Sequence, residues 1–176
     1  MNYNQEQPRI LAVALSTRGF GFAVMEGQDA LVRYGSKSAE GDKNARCLAN
    51  FKKLINFYEP DILVLSDVAG KGARRAPRIK ALARQIIKVA GKHKLKVKLI
   101  SAKQVKRVFF TDGQGTKHSR AEMIAQMFPN ELGLRLPRKR RTGYNEDRNM
   151  DMFDAMALAV VFWTSITTMQ KIIRAK

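Results

Sequence analysis

The chain has 176 residues and 45% apolar composition, enough for one folded domain with a core and too apolar for a disordered tract. Its 33 Lys and Arg against 15 Asp and Glu give a formal net charge of +18, which points to a polyanionic partner, nucleic acid first. A single Cys47 excludes an internal disulfide and suits a reducing compartment, and the polar start "MNYNQEQPR" carries no signal-peptide pattern. The expectation is a cytoplasmic, nucleoid-associated protein.

Residues 1–8 read as a polar tail. Residues 9–16, "RILAVALS", read as an apolar strand. After the turn Ser16-Thr17-Arg18-Gly19, residues 19–26 alternate, with Phe20, Phe22 and Val24 on one side and Gly19 and Gly21 smoothing the other. "LVRYGSK" (31–37) reads as a third strand. Residues 43–58 have helical spacing, with Cys47, Phe51, Leu54 and Ile55 inward and Pro60 as a stop. "DILVLSD" (61–67) is continuously apolar, as in a parallel strand covered on both faces. A loop containing Lys71, Arg74 and Arg75 leads to a helix from Pro77 to about His93, with Ile79, Leu82, Ile86 and Ala90 inward.

"LKVKLIS" (95–101) alternates like an exposed edge strand, and its Lys96 and Lys98 suit protection of that edge as well as phosphate contact. "AKQVKRVF" (102–109) reads as a short helix. Residues 117–128 read as another, with Thr116 as N-cap. Residues 129–148 read as a basic loop. The last helix starts near Asn149, and residues 164–176 extend it past the apolar stretch. Met152 to Ile166 looks too short to cross a bilayer and contains Asp154. An antiparallel meander followed by helical crossovers predicts one α/β domain over 1–176, a five-stranded mixed sheet flanked by helices in three layers.

Between Val68 and Thr111 there are fourteen Lys or Arg and no Asp or Glu. Lys80, Arg84, Lys88 and Lys92 recur every four residues and so share a helix face, and Arg78 sits one turn before Leu82 on the same helix. An ordinary solvated face would mix signs. Phosphate contact is therefore the expectation for Lys71, Arg74, Arg75, Arg78, Lys80 and Arg84. Lys117, at a helix start, joins them. Arg138, Lys139, Arg140 and Arg141 form a compact block that suits a clamp on a phosphate backbone, with Tyr144 nearby as a stacking candidate. His93 and His118 have no metal-ligand spacing. Asp151 and Asp154 lie three apart and so on one face of a buried helix, where carboxylates need partners. Asp151 also suits the positive end of the helix dipole. A magnesium site held by Asp151 and Asp154, with Asp67 at a strand end, is the functional reading.

Taken together, "AVALSTRGFGFAV", "LVLSDV", Lys117 in "GTKHSRAEMIAQMFP" and "DMFDAMALAV" resemble the RuvC-type Holliday junction resolvases of the RNase H-like superfamily, over about residues 9–163. The resemblance implies an RNase H-like sheet, DNA as partner, a homodimer or a larger complex, and four carboxylates holding two magnesium ions. Asp151 and Asp154 match two of those acids. Ala14 and Ser66 stand where the other two are expected, with Asp67 next to Ser66. Strand alternation would send Asp67 to the opposite face from Ser66. The implied function is a catalytically inactive protein that recognises branched or structured DNA or serves a nucleoprotein complex. The alternatives are a magnesium-dependent endonuclease with a rearranged site of Asp67, Asp151 and Asp154, and an RNA-binding or ribosome-associated protein.

Overall fold

In a computed structural model of the chain, the meander and the crossovers meet in one five-stranded sheet. The structure describes residues 7–70, 75–139, 141 and 146–174, with side chains to residue 168. Strands β1 (Arg9–Leu15), β2 (Gly19–Glu26) and β3 (Ala30–Ser38) pair antiparallel. Strands β4 (Ile62–Ser66) and β5 (Lys96–Ile100) add on parallel, giving the order β3-β2-β1-β4-β5. The mixed sheet is the one expected from the sequence.

Central β1 is covered on both faces, and its alternation divides the core. Leu11, Val13 and Leu15 join Phe20, Phe22 and Val24 beneath α1 (Lys43–Tyr58) and α2 (Pro77–Lys92). Ile10, Ala12 and Ala14 join Ala23 and Met25 on the opposite face, beneath α3 (Ala102–Phe109), α4 (Lys117–Met127) and α6 (Asn149–Arg174). Each fully buried Leu, Ile or Phe stabilises by about 1.5–3 kcal/mol, so both layers contribute. The expected inward residues of α1 and α2 are buried, except that Leu48 and Tyr58, also expected on the inner face of α1, are only half-buried.

The face beneath α6 is built from small residues, which lets the helix backbone approach the sheet. Gly21 marks the closest point: a Cβ there would run into the backbone of Asp151 and Met152. Met150 to Trp163 is buried apart from Asp154, as the apolar sequence requires. The helix starts at Asn149 and runs past the apolar stretch to Arg174, as the sequence suggested. Its window Asn149–Thr168 is long and apolar enough to cross a membrane, with 72% of that window buried within the fold.

Caps fix the starts of the shorter helices. Ser101 and Thr116 each accept the amide three residues on and form a capping box, so Thr116 is the N-cap expected. Residues 129–148 correct the loop reading in part. Pro129–Leu132 makes a short helix, α5, followed by a 3-10 turn, Gly133–Arg135, whose Leu132 anchor is fully buried. On β5, at the edge of the sheet, the expected alternation does not appear in burial: Val97 and Leu99 are exposed along with Lys96 and Lys98.

Candidate nucleic-acid interface

Two parallel strands end side by side at the site. The register pairing Val13 with Leu65 brings Ala14 beside Ser66 at the C-terminal ends of β1 and β4, where α/β sheets place their ligands. Above them α6 supplies Asp151 and Asp154, and α4 supplies Lys117 and Arg120. A cavity of about 350 Å³ lies between these elements, walled by Ala14, Ser66, Asp67, Val105, Asp154 and Leu158. Arg75, Lys106, Lys117 and Arg120 stand around the same cavity, four cations against two carboxylates.

The two helix acids have separate partners. Asp154 accepts from Arg120 at 2.5 Å on Oδ1 and from Lys117 Nζ at 3.0 Å on Oδ2. Lys117 also meets Glu146 at 3.3 Å. The Arg120 and Asp154 side chains are only 13% and 20% exposed, so this pair is poorly screened by water. Asp151, 7% exposed at its side chain, turns toward the β1–β2 turn. Its Oδ2 accepts from Ser16 Oγ at 2.9 Å and its Oδ1 lies 3.4 Å from Arg18. Burial pushes the Asp151 carboxyl above its ordinary pKa, while the Ser16 hydrogen bond and Arg18 pull the other way.

Asp67 corrects the alternation argument. β4 ends at Ser66, so Asp67 is released from the pleat and lines the same cavity as Ser66. Its Oδ1 accepts from the amides of Ala69 and Gly70, at 3.1 and 2.8 Å, which shapes the turn that follows. Of the three acids expected to act together, Asp67 and Asp154 share the cavity and Asp151 does not line it.

The donor set does not fit a pair of magnesium ions. Ala14 has no ligand atom, Asp154 is held by two cations, and Asp151 by a hydroxyl and a guanidinium. Among the described residues no three His, Cys, Asp or Glu side chains group as metal ligands. Ser66 Oγ is buried and meets no hydrogen-bond partner among them.

The basic candidates divide by what they touch. Arg78 is a structural residue: it donates to Asn44 Oδ1 at 2.9 Å and to the carbonyls of Ser16 and Thr17, tying α2 to α1 and to the β1–β2 turn. Lys80 is half-buried, while Arg84, Lys88 and Lys92 are exposed along α2. Arg75, Arg138, Lys139 and Arg141 are exposed as well. Lys71, Arg74, Arg140 and Tyr144 lie outside the described residues. Sequence reading missed Arg120, Lys106 and Arg18. Arg120 sits one turn after Lys117 on the same helix, the one local signal that pointed to it.

No protein-family model matches the sequence, and no curated protein matches it. Solved structures do. RuvC of Thermus thermophilus superposes with a TM-score of 0.67 at 14% identity, covering 91% of this chain and 97% of that one. The chain has a RuvC-like fold. The yeast mitochondrial Holliday junction resolvase Ydc2 matches at TM-score 0.59 and 14% identity, over 92% of this chain and 82% of that one. The fowlpox virus resolvase, solved with Holliday junction DNA, matches at 0.55 and 13%, over 89% and 99%. In this RuvC-like sheet the cavity opens at the ends of β1 and β4, with a cationic rim and two walls of carboxylate.

Proposed function

We propose that this RuvC-like chain binds branched DNA and does not cut it. The observation that carries the reading is the exchange of charge at the sheet's centre. Where a metal-dependent nuclease needs clustered oxygen ligands, this site has Ala14, a lone hydroxyl on Ser66, and Asp154 already neutralised by Arg120 and Lys117. The cavity itself remains cationic, with Arg75 and Lys106 beside it, and Arg84, Lys88 and Lys92 add exposed charge along α2 on the other face of the sheet. Such a surface grips phosphates through counterion release, whatever the base sequence.

The test uses labelled four-way junction, duplex and single strand, each incubated with the protein in magnesium and in manganese. Tight, salt-sensitive retention of the junction with every strand intact is the expected result. Cleavage that disappears in Asp154→Asn overturns it. That outcome belongs to a second reading, a rearranged nuclease, which is favoured by one fact: Asp67 and Asp154 face the same cavity. RNA of matched shape, added as competitor, distinguishes the nucleic acid, since phosphate contacts alone do not.

A further inference from the structure

The cavity has two chemistries, told apart by burial: Arg75, Lys106 and Lys117 are exposed, whereas its apolar side chains are buried. Its rim holds Arg75, Lys106, Lys117 and Arg120. Its floor is made of Ala14, Leu15, Val105, Ala157 and Leu158, nearly all methyl and methylene, with Ser66 Oγ as a buried, unpartnered polar atom beside them. A phosphate pushed to that floor would exchange water for methyl groups, which is strongly unfavourable for a charge. The carboxylates of Asp67 and Asp154 on the walls would also repel it. Phosphate therefore belongs at the rim, and the floor calls for something flat and largely apolar with a polar edge.

We propose that the cavity takes a nucleobase turned out of the DNA stack, its faces against the apolar floor, its edge on Ser66, and its flanking phosphates on the cationic rim. This rests on the DNA-binding reading above and assigns that site a ligand. A volume of about 350 Å³ falls at the small end of the ~300–1,000 Å³ typical of small-molecule pockets, which is room enough for one base. Ser66 Oγ is closed to solvent in this structure, and a turn about χ1 is what would bring it to the cavity, where the hydroxyl donates or accepts and so serves either a ring nitrogen or a carbonyl. The Asp154 and Asp67 oxygens offer acceptors to an exocyclic amine. Turning a base out is least costly where pairing is already broken, which ties the pocket to branch points, mismatches and unpaired ends. Free mononucleotides share this chemistry, and the experiment separates the two sources.

The probe is 2-aminopurine placed at the branch point of a four-way junction or at an unpaired position in a duplex, with anisotropy of a distant dye reporting binding in the same sample. Among the described residues no aromatic side chain lines the cavity, so a base held there loses its stacking quencher and gains none from them. A severalfold rise in emission that saturates with the anisotropy is the expected result. Ala14→Val fills the floor with a residue suited to a strand and leaves the rim alone. It is expected to keep the anisotropy curve and abolish the emission rise. Ser66→Ala, which adds no bulk, is expected to keep binding and reduce the discrimination between bases. Thermal melts of both variants report their folding.

Saturating anisotropy with unchanged emission overturns the pocket and leaves the DNA reading standing. So does an emission rise that survives in folded Ala14→Val. Response to free 2-aminopurine deoxynucleotide, with none from the DNA, assigns the cavity to a mononucleotide and overturns the turned-out base. Absence of any anisotropy change overturns both readings together.

Discussion

Asp151 shows how a single buried carboxylate carries a pH signature. Burial raises its pKa in the fold above the ordinary aspartate value of about 3.9. Between the unfolded and folded values the native state holds the extra proton. The stability it contributes is therefore fully present below about pH 4 and is lost as pH rises through the folded value. Asp151→Asn keeps an acceptor for Ser16 and cannot ionise. Its melting temperature is expected to track the wild type at acid pH and to exceed it by a few degrees at neutral pH, read by melts across that range. Arg120 poses the opposite case. Replacing it with Met keeps bulk and strips Asp154 of its closest partner, a loss of about 2 kcal/mol for a charge-assisted hydrogen bond. The expected fall in melting temperature is about 4–8 °C. The same residue bears on metal binding. Millimolar magnesium is expected to leave the wild-type melt unchanged and to raise that of Ala14→Asp/Ser66→Glu/Arg120→Met, because only the triple variant offers clustered oxygen ligands with the Arg120 guanidinium removed from Asp154.

At the scale of elements, β2 and α6 approach so closely at Gly21 that no side chain fits between them. Gly21→Ala places a methyl on the Asp151 carbonyl, and backbone on both sides leaves neither free to yield. A loss of about 3 kcal/mol, at the upper end of ordinary overpacking, is expected in denaturant unfolding. Elements with a strong local period were legible in the sequence: α1, α3 and the start of α6 at Asn149 fall where apolar spacing and caps place them. α5 was not, because four residues between Pro129 and Leu132 hold too little period to distinguish helix from loop. The site was legible in part. Asp154 and Lys117 were visible as residue types in a pattern, whereas the hold of Arg120 on Asp154, 34 residues away, and of Arg18 on Asp151, 133 residues away, exists only once the sheet brings those segments together. Arg78 shows the converse. Its charge read as a phosphate contact, and its guanidinium instead serves the carbonyls of Ser16 and Thr17.

Across the whole molecule, +18 sets the terms of association. For each phosphate neutralised, the logarithm of the DNA affinity is expected to fall by about 0.9 per logarithm of salt. Arg84→Ala and Lys88→Ala, exposed on one face of α2, are each expected to reduce that slope by about one unit with little change in melting temperature. Arg78→Ala is expected to do the reverse, lowering the melting temperature by several degrees. Titrations of DNA binding at several salt concentrations, set beside melts, separate the two classes. The same surplus of charge guards the flank of the sheet. β5 displays Val97 and Leu99 to solvent on a strand whose outer rim is open, and like-charged copies keep apart while Lys96 and Lys98 are unscreened. Concentrated salt, or a coat of polyanion, removes that mutual repulsion, so this protein should turn cloudy under the very conditions that ordinarily quiet sticky basic chains.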